Sequence, residues 1–200
     1  MHTSSQNVPA LVTYGDPRLR QKAVPVACFD EALRRLADAM VALMHLKGGV
    51  GLAAEQADGS AGRSDGPSRA LPALCVIDVP EDARAECVIP GVPFPPMPLV
   101  LVNPRIVASA GSDTSSEGCL SFPEIYAPVK RAAEVTVEYQ DLEGRAHSLR
   151  AAGLFARAVQ HEVDHLHGVL LVDRMSAVKR ISLAGTLKKL RLQTQQERAA

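Results

Sequence analysis

Apolar residues first recur with a helical period after Asp30. They follow one another at intervals of three or four residues, so their side chains share one face of a helix. This apolar face consists of Leu33, Leu36, Met40 and Leu43. Asp30 can cap the amino end, and Gly48 and Gly49 are the residue type that commonly follows the carboxyl end. The pattern predicts an amphipathic helix between these two signals.

A period of two replaces the helical period at residues 134–140. Val135, Val137 and Tyr139 alternate there with polar residues, which predicts a half-buried strand. A turn at 141–144 and a return strand at 145–150 would complete a hairpin. Shorter apolar runs predict further strands at 74–79, 99–102 and 106–109.

The carboxyl-terminal third of the chain returns to a helical pattern. A second helix is predicted from about Gly153 to Leu166, with a stop at Gly168, and a third runs from Ser176 toward the end. The apolar run 168–172 between them resembles a strand. Strands and segregated helices together predict a single α+β domain over residues 1–200, with a core at 9–175 and a helical extension at 176–200.

Two stretches have no period. Residues 57–73 are rich in Gly, Ser, Ala and Pro, and residues 81–98 contain five prolines from Pro90 onward. We interpret both as surface loops whose length is tolerated, because lengthening a loop adds little closure entropy.

Composition is that of an ordinary globular protein. Hydrophobic residues make up 46% and charged residues 22%, and the net charge is zero, so no global positive field is available to hold nucleic acid. The extension is locally basic. The cations after Asp173 are Arg174, Lys179, Arg180, Lys188, Lys189, Arg191 and Arg198, and the segment after Asp173 contains one acid, Glu197. The extension could be a solvated helix packed on the domain through Leu183, Leu187 and Leu190, or a docking surface for ribosomal RNA.

The amino terminus lacks the features of a secretory signal, and no stretch reaches the roughly 20 apolar residues of a membrane helix. We therefore expect a cytoplasmic protein that does not enter the membrane. In a reducing compartment cysteines are free or bound to metal, and Cys28, Cys75 and Cys87 are expected to be small core residues.

Residues 161–165 read H-E-V-D-H, and this is the strongest chemical signal in the chain. His161 and His165 lie one helical turn apart on the same face, so both imidazoles can bind one metal ion. Glu162 lies about 100° around the helix and can reach a water molecule at that metal. His2, His45 and His147 have no partner at ligand spacing, and His167 faces elsewhere.

A catalytic site of this kind needs a third protein ligand. Cys119, in the segment E-G-C-L-S at 117–121, offers a thiolate, which is a strong ligand for such metals. Gly118 would let the backbone approach closely. Asp173 is the alternative and would suit an H-E-x-x-H zinc peptidase. The residues favour Cys119 without excluding Asp173.

Three ordered segments resemble the peptide deformylase family. They are G-V-G-L-A-A-E-Q at 49–56, E-G-C-L-S at 117–121 and Q-H-E-V-D-H-L-H-G at 160–168. The segment D-P-R-L-R at 16–20 is also similar, and the resemblance covers most of residues 9–175. It implies antiparallel β-sheets packed around a central helix that carries the H-E-x-x-H motif, with an amino-terminal and a carboxyl-terminal helix.

The resemblance also implies a role for each site residue. Cys119, His161 and His165 would bind the metal, with water as the fourth ligand, and Glu162 would accept a proton from that water. The oxygen of the formyl group would accept hydrogen bonds from two further residues, the side chain of Gln56 and the backbone N–H of Leu120. Gly51 would let substrate lie close to the backbone.

The implied reaction removes the formyl group of formyl-methionine from nascent polypeptides and releases formate. The cofactor would be one divalent metal ion, with Fe²⁺ expected in the cell and Zn²⁺, Ni²⁺ or Co²⁺ possible in a preparation. The ribosome would be a partner if the basic extension docks there. Two other functions stay open at this point, namely the zinc peptidase and a catalytically silent ribosome-binding paralogue.

Two residues near the motifs raise separate expectations. The family most often has Pro, Asn or Thr where this chain has Glu55. We expect this carboxylate to point to solvent, and the alternative is that it alters substrate preference or the electrostatics of the site. Asp164 lies on another face of the helix than the two histidines. We expect it to pair with Arg131 and brace the helix.

Overall fold

The computed structural model describes residues 8–58 and 71–199. The described strands are β1 Gly51–Ala53, β2 Leu74–Ile77, β3 Leu99–Ala110, β4 Asp113–Gly118, β5 Tyr126–Arg131, β6 Glu134–Gln140 and β7 Ala146–Ala152. The described helices are α1 Glu31–Leu46, α2 Gly153–Leu166, α3 Leu171–Arg174, α4 Ala177–Ser182 and α5 Ala184–Ala199. Among the described residues, no helix has both the length and the apolar character needed to span a membrane.

The strands form two antiparallel sheets. Five of them lie in the order β1-β2-β3-β6-β7, and β4 pairs with β5 in a separate two-stranded sheet. The hairpin predicted around residues 141–144 is the β6–β7 pair. The predicted α+β class is therefore confirmed.

Helices α1 and α2 cover opposite faces of the larger sheet. All four residues of β2 are buried, and they alternate between the two helices. Leu74 and Val76 join the apolar cluster that contains α1, whereas Cys75 and Ile77 join the cluster that contains α2. Helix α2 is therefore an internal helix, as the resemblance implied, and it begins and ends at the predicted residues.

Strand β3 differs from the prediction of two separate strands. It runs from Leu99 to Ala110 without interruption. Where the sequence predicts a break between two strands, the register of β3 with β6 shifts instead. Asn103 adopts a left-handed backbone with φ of 53°. Its side chain accepts a hydrogen bond from the backbone of Val26 and donates one to Gln140, which stabilises the bend.

The two predicted loops have different outcomes. Residues 59–70, most of the first, lie outside the described residues. The second was wrong in part, because Glu81–Cys87 form a 3₁₀ helix. The prolines that argue against regular structure begin only at Pro90, beyond the end of this helix.

The segment after α2 corrects two further expectations. The strand-like run 168–172 leads instead into the short helix α3, because the carboxylate of Asp173 accepts a hydrogen bond from the backbone N–H of Leu170 at 2.8 Å. The predicted third helix is divided into α4 and α5 at Leu183.

Helix α5 packs against the amino-terminal segment 11–16. The hydroxyls of Thr13 and Thr194 are 2.7 Å apart. A Cβ on Gly15 would lie 2.8 Å from the carbonyl oxygen of Arg191, so only glycine allows this close approach. Leu187 is buried, and Leu183 and Leu190 pack beside it as expected.

Among the cysteines expected in the core, Cys75 and Cys87 are buried but Cys28 is exposed. The expectation for Cys28 was wrong. It lies just before α1, with its sulfur 3.8 Å from the capping carboxylate of Asp30, on a part of the chain that nothing covers among the described residues.

Candidate metal centre

Cys119, His161 and His165 converge at the open side of α2. Their donor atoms all lie within 4.8 Å of one another. The Nε2 atom of His165 is 3.3 Å from the Sγ of Cys119 and 3.3 Å from the Nε2 of His161. Two nitrogens bound tetrahedrally to one metal at about 2.05 Å would be about 3.3 Å apart. The three donors therefore fit a single tetrahedral ion.

The position of Cys119 depends on the two-stranded sheet. It follows Gly118, the last residue of β4, directly opposite Tyr126 of β5. A Cβ on Gly118 would lie 2.6 Å from the ring of Tyr126, so the glycine is required for this ring to pack. The close approach predicted at Gly118 is thus to a neighbouring side chain of the same sheet.

The Nδ1 atom of His161 is held by Glu117, a residue for which the sequence analysis predicted no role. This atom is 2.7 Å from a carboxylate oxygen of Glu117 and donates to it, which turns Nε2 toward Cys119. Arg131 and Arg157 also donate to Glu117, at 2.7 and 2.9 Å. Glu117 is the first residue of the E-G-C-L-S motif, but no pattern in the sequence indicates that buried arginines lie beside it.

Glu117 is buried and nevertheless charged. Burial alone would raise its pKa, but hydrogen bonds from His161 and Arg131 outweigh burial and hold the pKa well below the usual range. The cluster continues to Asp164, which accepts hydrogen bonds from Arg131 and Arg174. The predicted Arg131–Asp164 pair is confirmed.

Glu162 lies beside the three donors and is almost completely buried, at 3% exposure. Burial is the main cause that raises its pKa, to about 7, and the charge of His161 opposes that rise. A Cβ on Gly51 would lie 2.9 Å from the carboxyl carbon of Glu162. Gly51 therefore makes room for this carboxylate, which is a requirement separate from the expected approach of substrate.

Gln56 points toward the same centre. Its side-chain oxygen accepts a hydrogen bond from the backbone of Ala53 at 2.8 Å, which fixes the direction of the amide. The amide nitrogen then donates to Ser121 at 3.1 Å and approaches the Sγ of Cys119 at 3.5 Å. Leu120, the residue between these two, packs its side chain against Gly49.

Segment 11–16 closes this side of the centre from behind. The backbone N–H of Val12 donates to the carbonyl of Gln56 at 2.7 Å, and that of Tyr14 donates to the carbonyl of Ser121 at 2.9 Å. The hydroxyl of Ser121 in turn donates to the carbonyl of Val12. One short segment therefore ties the Gln56 loop to the Cys119 loop.

Glu55 contradicts its prediction. It is completely buried rather than directed to solvent, and neither carboxyl oxygen has a hydrogen-bond partner among the described residues. Burial raises its pKa to about 8. The interaction of the carboxylate with its own backbone N–H opposes that rise, and the charge of Glu162 adds a smaller increase. The reason is local: residues 54–56 form a 3₁₀ turn that is buried throughout, which sequence alternation does not reveal.

The other candidate residues lie away from this centre. Asp173 pairs with Arg20 and caps α3, so it is not a third ligand. His45 pairs with Asp78 and His147 with Asp141. His167 is exposed, as expected for its direction on the helix, and His2 lies outside the described residues.

A cleft of about 830 Å³ opens over the centre. Its floor includes Gln56, Cys119 and Glu162, and its walls are Gly49–Gly51 on one side and residues 122–126 on the other. The exposed side chains of Leu46 and Tyr126 lie at its rim. An extended peptide end could enter this cleft and reach the three donors.

Residues 8–181 match the family described as polypeptide deformylase. The chain belongs to the peptide deformylase family. It is 44% identical over 170 residues to a peptide deformylase of Nitrosococcus oceani, which covers 85% of this chain and 88% of that relative. A peptide deformylase of Opitutus terrae is 41% identical over 189 residues, which cover 90% of this chain and 91% of that relative.

Solved structures agree with this assignment. The crystal structure of a peptide deformylase from Ehrlichia chaffeensis matches with a TM-score of 0.78 and 32% identity over 92% of this chain and 96% of that one. The crystal structure of a peptide deformylase from Synechococcus elongatus in complex with actinonin matches with a TM-score of 0.73 and 36% identity. The match covers 92% of this chain and 90% of that one. The chain is therefore an enzyme, a metal-dependent amide hydrolase that removes the formyl group from nascent peptides.

Proposed function

We propose that Cys119, His161 and His165 hold the catalytic metal of this deformylase. The observation that carries the assignment is the convergence of one sulfur and two nitrogens within 4.8 Å, beneath a cleft and beside the buried Glu162. The proposed ion is Fe²⁺ in the cell, with Zn²⁺, Ni²⁺ or Co²⁺ able to replace it in a preparation, because all of them accept this ligand set. When bound, such an ion acts as a Lewis acid, polarises the formyl carbonyl and lowers the pKa of water.

Glu162 is the proposed general base. Its raised pKa of about 7 matches a group that must accept a proton near neutral pH and release it again. It takes a proton from the attacking water and later passes that proton to the amine nitrogen that leaves. Because Gly51 has no side chain, it leaves room for this carboxylate at the floor of the cleft.

Gln56 and Leu120 are the proposed donors to the formyl oxygen. The amide of Gln56 is already oriented by Ala53 and faces Cys119, so it requires little reorganisation as negative charge develops. The backbone N–H of Leu120, the residue after Cys119, is the second donor. Removing one such donor lowers kcat by about 10²–10³-fold.

The test is formate release from formyl-Met-Ala-Ser by protein loaded anaerobically with iron or with nickel. We expect turnover in both metal forms and loss of metal binding in a Cys119→Ser/His165→Ala double variant. Lack of turnover in both forms would contradict the proposed roles. So would a double variant that still binds one equivalent of metal as tightly as the native chain.

We also propose that the carboxyl-terminal extension contacts the ribosome, and that the enzyme acts in the cytoplasm where nascent chains emerge. Arg180, Lys188, Lys189 and Arg191 are exposed, and none of them forms an ion pair with another described residue. By contrast, Arg174 and Arg198 are engaged with Asp164 and Asp16. Four exposed cations without an ion pair in the described part of the extension suit a phosphate backbone.

This second proposal is tested by binding to ribosomes at several salt concentrations. A Lys188→Gln/Lys189→Gln variant should bind more weakly and lower the slope of log affinity against log salt by about 2. The matched control is Arg105→Gln/Arg150→Gln, which removes two exposed cations from the five-stranded sheet. Equal binding by both variants would contradict the proposal.

A further inference from the structure

Glu55 is a buried carboxyl group without a hydrogen-bond partner among the described residues, and the proposed mechanism does not use it. It lies in the 3₁₀ turn 54–56, between Ala53 of β1 and Gln56. Its side chain is completely buried, and both carboxyl oxygens lack a hydrogen-bond partner among the described residues. A group of this kind is costly to bury and is found mostly where it has a function.

Among residues 8–58 and 71–199, the charged groups on the elements around Glu55 offer it no counter-ion. From α2, the charge of Glu162 acts on it unfavourably, while His161 and His165 turn toward Cys119. From β2, Cys75 is a further buried acidic group that faces both glutamates.

The cations on the turn that packs against the turn of Glu55 are already engaged. The turn 17–20 packs against the turn 54–56. Its Arg18 pairs with Asp16 and Asp58, and its Arg20 pairs with Asp173. An ionised Glu55 would therefore be a second negative charge beside Glu162 without compensation, and the carboxyl stays neutral until mildly alkaline pH, in line with its pKa of about 8.

We propose that Glu55 is a positioning residue of this deformylase. In its neutral form, Glu55 holds the turn 54–56 against α2. Gln56 therefore stays directed at Cys119, and no second negative charge lies beside Glu162. This inference rests on the roles proposed for Gln56 and Glu162. Loss of its proton would introduce an unpaired charge into a closed space. The turn must then open toward water, and Gln56, one residue away, moves with it.

The first experiment observes the proton directly. In metal-loaded protein labelled with ¹³C at the glutamate side-chain carboxyl, one resonance should titrate near pH 8 and should be missing from the spectrum of Glu55→Gln. A Glu55 resonance that titrates near the ordinary value of about 4.3 would overturn the proposal.

The second experiment compares kcat at about pH 7 and about pH 9 for formyl-Met-Ala-Ser. At one unit above the pKa about nine-tenths of Glu55 is ionised, so the native enzyme should lose up to about tenfold in kcat through this group. Glu55→Gln, which keeps the shape of the carboxyl but cannot ionise, should not show that loss. Glu55→Ala should have a lower kcat than Glu55→Gln at both pH values, because the space behind the turn is left empty.

A surface substitution serves as the matched control. Glu138→Gln on β6 removes a carboxylate that pairs with Arg105 in solvent, and its ratio of kcat at the two pH values should equal that of the native enzyme. If Glu55→Gln has the same ratio as Glu138→Gln, Glu55 is only structural and the proposal is overturned. Failure of the proposed function would differ, because formate release would then be absent from the native enzyme at every pH.

Discussion

Two buried glutamates near the metal centre, Glu117 and Glu55, have opposite surroundings. Glu117 is held by His161 and two arginines, and this keeps it charged. Glu55 is buried more completely but has no partner among the described residues, and its proton is retained to about pH 8. Burial alone therefore does not set the charge of a carboxyl group in this protein; the hydrogen-bond donors around it do.

Glu162, the third buried glutamate, has a pKa of about 7, above the pKa of Glu117 and below that of Glu55. Glu162→Gln should keep the metal and lower kcat by about 10²–10⁴-fold, because the amide cannot accept a proton. Formate release together with metal content per chain measures both parts. A loss smaller than tenfold with metal intact would show that another group serves as the base.

Substitution of the charged Glu117 should have the next largest effect. Glu117→Gln leaves Arg131 and Arg157 without a full counter-charge and weakens the support of His161. We expect metal affinity to fall by about 10–100-fold and the free energy of unfolding by about 3–5 kcal/mol. Competition with a metal-indicator dye and urea unfolding measure the two effects.

The control for that variant is Asp113→Asn. Asp113 is the other carboxylate partner of Arg157, but its side chain is 53% exposed. Its loss should leave the urea midpoint of unfolding almost unchanged, because a solvent-exposed ion pair contributes little to stability. Equal effects of the two substitutions would remove the distinction between buried and exposed partners of Arg157.

A change in pH should act on the free energy of unfolding in opposite directions through the neutral Glu55 and through the charged Glu117. The raised pKa of Glu55 means that the unfolded chain loses this proton above about pH 4.3 whereas the folded chain keeps it to about pH 8, so this group makes the fold less stable as pH rises through that window. The lowered pKa of Glu117 acts in reverse, and its contribution is lost as pH falls below its unfolded value.

Urea unfolding of Glu55→Gln and the native chain at about pH 5 and pH 7 tests this sign. The variant should gain stability over the native chain by roughly 1 kcal/mol or slightly more per pH unit. A constant difference between the two pH values would mean that Glu55 titrates normally.

The smallest effect is expected where the charged cluster reaches solvent. Arg174 donates to Asp164, but its side chain is 45% exposed. Arg174→Gln should therefore lower the free energy of unfolding by about 0–1 kcal/mol, and the loss should shrink in high salt. A loss as large as that of Glu117→Gln would show that the network acts as one unit up to its exposed end.

Much of the frame was predictable because it rests on local periodicity. The apolar spacing after Asp30, the alternation at 134–140 and the H-E-x-x-H spacing each determine which side chains share a face, and the structure confirms all three elements. The family resemblance supplied the partner that spacing left open, Cys119.

The unpredicted parts depend on tertiary contacts. Strand β4 reads D-T-S-S-E-G and is exposed over its first four residues, so no apolar pattern signals it, and it exists because β5 pairs with it. Strand β1 has only three residues inside a glycine-rich motif. The burial of Glu55 and the support of His161 by Glu117 also follow from what α2 and the arginines bring close, which no local pattern contains.

The link between the chain's two ends has a consequence for the order in which this enzyme can mature. Segment 11–16 ties the Gln56 loop to the Cys119 loop, and α5 holds that segment through Thr13 and Thr194, which are 181 residues apart in sequence. A ribosome adds residues one at a time, so the segment is synthesised early but gains this contact only after almost all of the chain between has emerged. The Gln56 and Cys119 loops therefore acquire their full bracing only after residues 184–199 have been synthesised and have folded.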